Sequence, residues 1–448
     1  MNYTELAQRV VNQATNDGVE VEAYIAVGSE TNIQVRGGAV EKFSYAGSKG
    51  LGVRVIKAGQ MGYAYTSDFS DESIAKTIAT ALTLSEVADA DEHRRLPDPK
   101  PLSDEDLAIY DSSLLAVDAE TKVAFQKAVE AAALAYDDRV QVSIMNSYID
   151  GISEVYLANS KGFQGSYNST FAGAYIMVMA VDESDRATGF GLQIGRSLND
   201  IDAATVGRQA AEQAVNLLGG KPVPTQTATV VYHPVAATAL LGAISQALTA
   251  EAMQRNRSFL QGKLGQTVAS DVVTLLDNGR LPGGLATRPF DDEGNPTSAT
   301  RLIDEGVFQA VIYDAYTADR DGTNSTGNAT RGSHRAAPSL APSNFYIQPG
   351  PDDADALIAG VEKGLYVINT MNTHSINPVS GDYSVSAQGF WIENGKLTHP
   401  VNNVTIALPL GQILQNVRAV GNDLTFLPFG GAIGSPTIRV DNVVIGGV

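Results

Sequence analysis

Between Thr225 and Ser270 the apolar positions change period. Ala228 to Tyr232 is a β-branched run and predicts a strand. Pro234 suits the first turn of a helix. Beyond it, Leu240, Ala243 and Ala247, and beside them Leu241, Ile244 and Leu248, recur three and four residues apart on two adjacent stripes. With Val235 and Ala236 they make a helix apolar most of the way round, as a helix buried in a large domain is.

Upstream the pattern reads as a unit that occurs twice. Asn2 and Glu5 resemble a capping box, and Leu6, Val10 and Ala14 mark a helix that ends at Asn16-Asp17-Gly18. Strand-like runs follow at Val19–Val27, Asn32–Arg36, Ala39–Tyr45, Gly50–Ile56 and Gly62–Thr66, and Ser70 caps a helix with Ile74, Ile78 and Leu82 on its apolar face. Residues 87–113 turn acidic and Pro-rich, the composition of a linker. A helix over Asp118–Tyr136, strands over Val140–Ile194 and a helix over Asp200–Leu218 then repeat the order. Ser48-Lys49-Gly50 and Ser160-Lys161-Gly162 recur within it; both read as hairpin turns rather than phosphate loops, because strands lie on both sides.

After Gly220 short strands dominate, including Val307–Ile312, Asn344–Ile347, Tyr383–Ile392 and Thr437–Val444, between turns such as Asp304-Glu305-Gly306 and Asn394-Gly395-Lys396. The expected fold is α+β: two helix/antiparallel-sheet units at 1–86 and 114–220, joined by the linker at 87–113, then a β-rich barrel- or sandwich-like domain at 221–448 around the central helix.

Composition narrows the functions. A formal charge of −19 argues against direct binding to nucleic acid or an anionic membrane. With no cysteine there is neither a disulfide nor a thiolate metal site. The start lacks a basic n-region and no apolar run reaches membrane-spanning length, so the cytoplasm is the simplest placement.

No two of the five histidines, His93, His233, His334, His374 and His399, have the spacing of a helical zinc pair. His93 and His399 read as solvated, and His233 as a backbone hydrogen-bonding partner beside Pro234. Asp291-Asp292-Glu293 reads as a turn capped by its own side chains, since adjacent strand positions point to opposite faces. The polar segment holding Ser325, Thr326, Gly327, Asn328, Arg331 and His334, together with His374, is the candidate peptide-binding surface. There an edge strand following the loop would accept a peptide backbone, although a plain loop also fits these residues.

Six phrases complete the pattern: Asp291 to Thr297, Leu302 to Gly306, Ser325 to Asn328, Asn377 to Tyr383, Ile392 to Lys396 and Val420 to Leu424. In this order they resemble the TldD/PmbA family of metallopeptidase-related proteins over the whole chain. In that family the TldD-type subunit carries HExxxH on the central helix and a cysteine ligand in a Gly-rich stretch near the C-terminus. Counting back from Gly262, Gly265 and Val268-Ala269-Ser270 puts those helix positions on Leu241, Gly242 and Gln246, and the cysteine position near Gly430-Gly431-Ala432. The resemblance therefore implies a PmbA-type (TldE) subunit with no catalytic residue or metal of its own. It would pair with a zinc-bearing TldD-type subunit to cut unfolded or small peptides, or form a homodimer when isolated. A peptide-binding or regulatory homodimer, and a metallopeptidase with a metal site relocated to His334, His374 and nearby acids, are the alternatives.

Overall fold

In the computed structural model, which describes residues 1–15, 18–183, 185–428 and 431–447, the two N-terminal units share one sheet. The first comprises α1 (Tyr3–Ala14), β1 (Val19–Arg36), β2 (Ala39–Lys57), β3 (Gln60–Thr66) and α2 (Asp71–Val87). The second repeats it with α3 (Ala119–Leu134), β4 (Val140–Asn159), β5 (Gln164–Asp182), β6 (Asp185–Gly195) and α4 (Ala203–Asn216). β1 and β4 pair antiparallel, giving the order β3-β2-β1-β4-β5-β6. The caps are those the sequence indicates: Asn2, Ser70 and Asp118 each accept a hydrogen bond from the third residue onward. The predicted stop of α1 falls partly on Asn16 and Asp17, outside the described residues.

The five short runs expected in the first unit are three strands, of which β1 and β2 are long and β3 is close to the expected Gly62–Thr66. Gly28, which reads as a turn, lies inside β1, because the Ile152 carbonyl on β4 approaches within 2.6 Å of where a Cβ would stand. Ser48-Lys49-Gly50 is likewise not a turn. It runs through β2 opposite Ala26–Gly28, whereas Ser160-Lys161-Gly162 does turn the chain between β4 and β5. The duplication is therefore one of element order, and the shared phrase occupies different places in it.

Strand alternation divides the sheet into two faces. Val21, Ala23 and Ile25, with Leu51, Val53 and Val55, pack under α1 and α2, while Ile33, Val35, Ala174 and Ile176 pack under α3 and α4. The opposite face, with Tyr24, Val155 and Leu157, meets Phe290 of the C-terminal domain.

That domain contains β7 (Gln226–Tyr232), α5 (Pro234–Ala247), β8 (Leu275–Asn278), β9 (Ala299–Asp304), β10 (Val307–Phe308), β11 (Ala329–Thr330), β12 (Ser339–Leu340), β13 (Asn344–Ile347), β14 (Lys363–Met371), β15 (Ser384–Glu393), β16 (Lys396–Ala407), β17 (Val417–Val420), β18 (Thr425–Leu427), β19 (Ala432–Ser435) and β20 (Ile438–Gly446). β16-β15-β14-β7-β20 closes on itself through a β16–β20 pairing, with β17 attached to β20; this is a barrel. β10-β9-β8-β13-β19-β18 forms an open half-barrel. The helix α5 lies between them, against β14 and β7 on one side and β18 and β19 on the other. One apolar core joins α5 to both sheets.

Residues 88–111 have no regular structure, yet they are a strap rather than a free tether. Leu96, Leu107 and Ile109 are buried, and Leu96 N–H donates to Glu20 of the sheet while Gly283 N–H of the C-terminal domain donates to the Leu107 carbonyl. His93, expected in solvent, pairs its Nδ1 with Asp319 at 3.0 Å.

Candidate functional site

The sequence assembles α5 in steps. Pro234 fixes the first turn, and His233 caps it: its Nδ1 accepts the Val235 N–H at 3.2 Å and its own N–H donates to the Val367 carbonyl. This cap needs neutral imidazole. Burial lowers the His233 pKa, outweighing the opposing pull of Asp423.

Along α5, Leu241 is 2% exposed in the core, Gly242 is half-buried with open space where a Cβ would stand, and Gln246 is exposed. These three positions thus present an apolar chain, no side chain and a neutral amide. β19, which begins at Ala432, packs directly on α5; Gly430 lies outside the described residues. The fold therefore brings the helix and the Gly-rich C-terminal stretch together, but the donor set does not fit zinc, which takes thiolate, imidazole or carboxylate. Among the described residues no three of His, Cys, Asp or Glu are grouped to hold an ion.

The polar segment serves mainly as scaffold. Ser325 and Thr326 hydroxyls donate to the Tyr313 carbonyl, and Asn328 Nδ2 donates to the buried Asp277 at 2.7 Å. Gly327 has a φ of +79°, and a Cβ there would collide with the Pro296 carbonyl. The strand that follows is not an edge: β13 is flanked by β8 and β19. His334 is buried with its ring against Gly50 of β2 and 6.0 Å from the Tyr65 ring, and its carbonyl accepts the Tyr63 hydroxyl at 2.7 Å. Burial, then Arg335, lowers the His334 pKa. His374 is exposed in the β14–β15 connection and shares no hydrogen bond with this segment among the described residues.

What the sequence conceals is a buried charge network between the sheet and the C-terminal domain. Glu22 on β1 accepts from Arg54 on β2 at 2.6 Å and also from Arg331. Arg54 reaches Glu293 at 2.7 Å, and the Arg331 guanidinium stacks 4.7 Å from the Tyr24 ring centroid. Asp292 accepts the Arg331 N–H at 2.6 Å and Arg288 at 3.1 Å. Asp291 does cap its own turn, accepting the N–H groups of Glu293 and Asn295, but the whole acidic run is buried. Burial disfavours the charge on Arg54, yet Glu22 and Glu293 outweigh it and raise the pKa above the ordinary value. The arrangement ties the N-terminal sheet to the C-terminal domain.

Comparison with known proteins fits this geometry. Residues 21–85, 112–218 and 225–447 match the models of domain 1, the central domain and the C-terminal domain of PmbA/TldA metallopeptidases. The chain is 28% identical to "Metalloprotease PmbA" of Escherichia coli O157:H7, over 95% of this chain and 94% of that one. It is 29% identical to a "Metalloprotease PmbA homolog" of Haemophilus influenzae, over 94% and 92%. Among solved structures, a candidate modulator of DNA gyrase from Bacteroides thetaiotaomicron superimposes with a TM-score of 0.89 at 28% identity, over 100% of both chains. TldE from Thermococcus kodakarensis shares the fold with a TM-score of 0.92 at 23% identity, over 99% of this chain and 100% of that one.

Proposed function

The chain belongs to the PmbA/TldD metallopeptidase family, and from that premise we propose that it is a TldE-type subunit that takes part in peptide proteolysis without cutting peptides itself. The observation that carries this reading is the chemistry of α5. Hydrolysing a peptide at a zinc centre needs a Lewis acid to acidify water and a base to take its proton. Leu241, Gly242 and Gln246 supply neither, and the chain has no cysteine to complete a ligand set. The zinc belongs, on this reading, to a TldD-type partner in the cytoplasm. No helix among the described residues is long and apolar enough to cross a membrane, a statement that does not bear on strands.

A metal site relocated to His334 and His374 finds less support, since the first ring is buried against β2 and the second is exposed at the barrel. For a role in peptide binding, Ser325 and Thr326 remain half-buried at the rim of the polar segment. The test is a pull-down with the tagged chain from its native cells, with zinc measured in the isolated chain and in the complex. Recovery of a TldD-type protein, with zinc only in the complex, is the expected result; stoichiometric zinc in the isolated chain would contradict it.

A further inference from the structure

The two halves of the long sheet are built alike, yet the face turned away from the helices meets different surroundings in each. In the first unit it carries Glu22 on β1, Arg54 on β2 and, opposite Arg54, Tyr63 on β3, and the C-terminal domain covers it through Glu293 and Arg331. In the second unit the corresponding strands β4, β5 and β6 carry apolar residues there. Register sets Tyr175 and Met177 of β5 beside Leu192 and Phe190 of β6, and Met145 of β4 on the other side of Met177. Between them along β5, Ala174, Ile176 and Val178 are fully buried under α3 and α4, so alternation turns Tyr175, Met177 and Met179 away from those helices. Apart from neighbouring strands, β5 and β6 make their contacts mainly with α3 and α4, on the opposite face. Met145 is accordingly 47% exposed, and Tyr175, Met177, Met179, Phe190 and Leu192 are half-buried. Three of the chain's seven methionines stand together on this open face.

We propose that this face binds an extended apolar segment of an unfolded peptide, laid along β5 from Gly173 to Val181. Size favours a peptide over a folded protein. At the rise and spacing of a sheet that stretch is about 27 Å long and the three strands about 10 Å across, roughly 300 Å². A stable interface takes about 800 Å² from each partner, whereas an extended segment of about eight residues matches the length. Charge points the same way. In the first unit the folded C-terminal domain is fixed by the ion pairs of Arg54 with Glu293 and Arg331 with Glu22. The face positions from Gly173 and Ile194 to Met179 and Thr188 include no charged side chain, and so nothing to set the register of a folded surface. Unbranched methionines adapt to side chains of different shape, and here they flank the Tyr175 and Phe190 rings, 6.3 Å apart. The inference rests on the reading that the chain takes part in peptide proteolysis, and it gives the peptide a site apart from the polar segment at Ser325 and Thr326.

The test titrates the full chain, without partner or added zinc, into two fluorescein-labelled unstructured peptides of equal length, one rich in Leu and Phe and one made of Gly, Ser and Glu. Fluorescence anisotropy should rise to saturation with the apolar peptide only. Met177→Glu and Leu192→Glu should each weaken that binding about tenfold or more, because each puts a charge beneath the peptide, with far-UV circular dichroism and thermal midpoint unchanged. Methyl-¹³C-methionine spectra of the wild type give a readout that needs no folded variant. The signals of Met145, Met177 and Met179 should shift on adding the apolar peptide, and that of Met253, against the core of the C-terminal domain, should not. No binding by the wild type, equal affinity for both peptides, or shifts that spare the three face methionines overturns the proposal. So does a Met177→Glu chain that loses self-association and keeps its affinity for the peptide, the mark of a second copy on this face. Because no cleavage is measured, failure here leaves the zinc-bearing partner to its own pull-down, and failure of that pull-down leaves the binding result standing.

Discussion

Replacing Arg54 with Met tests whether the buried charges join the two domains. Arg54 is the shared cation of Glu22 and Glu293, at 2.6 and 2.7 Å, and the three side chains are 6%, 0% and 4% exposed. Met preserves much of the volume, so the change removes charge more than packing. Glu22 keeps Arg331, but Glu293 keeps only the Ala315 N–H at 2.9 Å and becomes a buried carboxylate with no cation among its described partners. Breaking a buried pair from one side costs about 3–5 kcal/mol, and the surviving Arg331 contact places the expected loss near the middle, about 4 kcal/mol. Arg331→Met should cost less, about 3 kcal/mol, because Glu22 then retains Arg54. The surface pair Arg9–Asp71, 44% and 82% exposed, is the control, and Arg9→Ala should cost under about 0.5 kcal/mol. Urea unfolding reads the result. Trp391, the only tryptophan and buried in the barrel domain, reports that domain by fluorescence, while far-UV circular dichroism reports the whole chain. In Arg54→Met the two transitions should fall and separate. A shift no larger than that of Arg9→Ala would refute the reasoning.

Two further outcomes follow from α5. Because His233 caps the helix as neutral imidazole and its pKa is lowered in the fold, the folded chain binds fewer protons than the unfolded one below the ordinary value of 6.5. Stability should therefore be complete above about pH 6.5 and fall as pH drops through the lowered value, by at most about 1.4 kcal/mol per pH unit for this group. His233→Asn, which keeps an acceptor at the cap, should flatten that slope in thermal scans from neutral to acid pH, and His233→Ala should cost about 1 kcal/mol at neutral pH. The triple change Leu241→His/Gly242→Glu/Gln246→His should yield no chelator-sensitive peptidase in a fluorogenic peptide assay, because the chain has no cysteine to add a thiolate to the two histidines.

Local patterns made the central helix and its preceding strand legible. The three- and four-residue spacing, Pro234 and the β-branched run before it all act over short distances, and α5 begins at Pro234 as that pattern requires. The long strands were harder to see, because Gly28 and Gly50 look like turns. They are instead small enough to admit the Ile152 carbonyl and the His334 ring. The charge network could not be read at all. Glu22 meets Arg331 across 309 positions and Arg54 meets Glu293 across 239, separations that no local pattern spans. The sequence places Arg331 and His334 in the candidate peptide-binding segment; their burial against β1 and β2 is a property of the fold. At α5 the informative signal was the residue types standing at Leu241, Gly242 and Gln246.

The central claim is that this chain contributes to proteolysis only in company. The direct measurement is cleavage of an unstructured peptide by the chain alone, by a TldD-type partner alone and by their equimolar mixture, each with and without chelator. The account predicts no cleavage by this chain alone and chelator-sensitive cleavage that rises sharply on mixing. Metal-dependent cleavage by the purified chain on its own would contradict it.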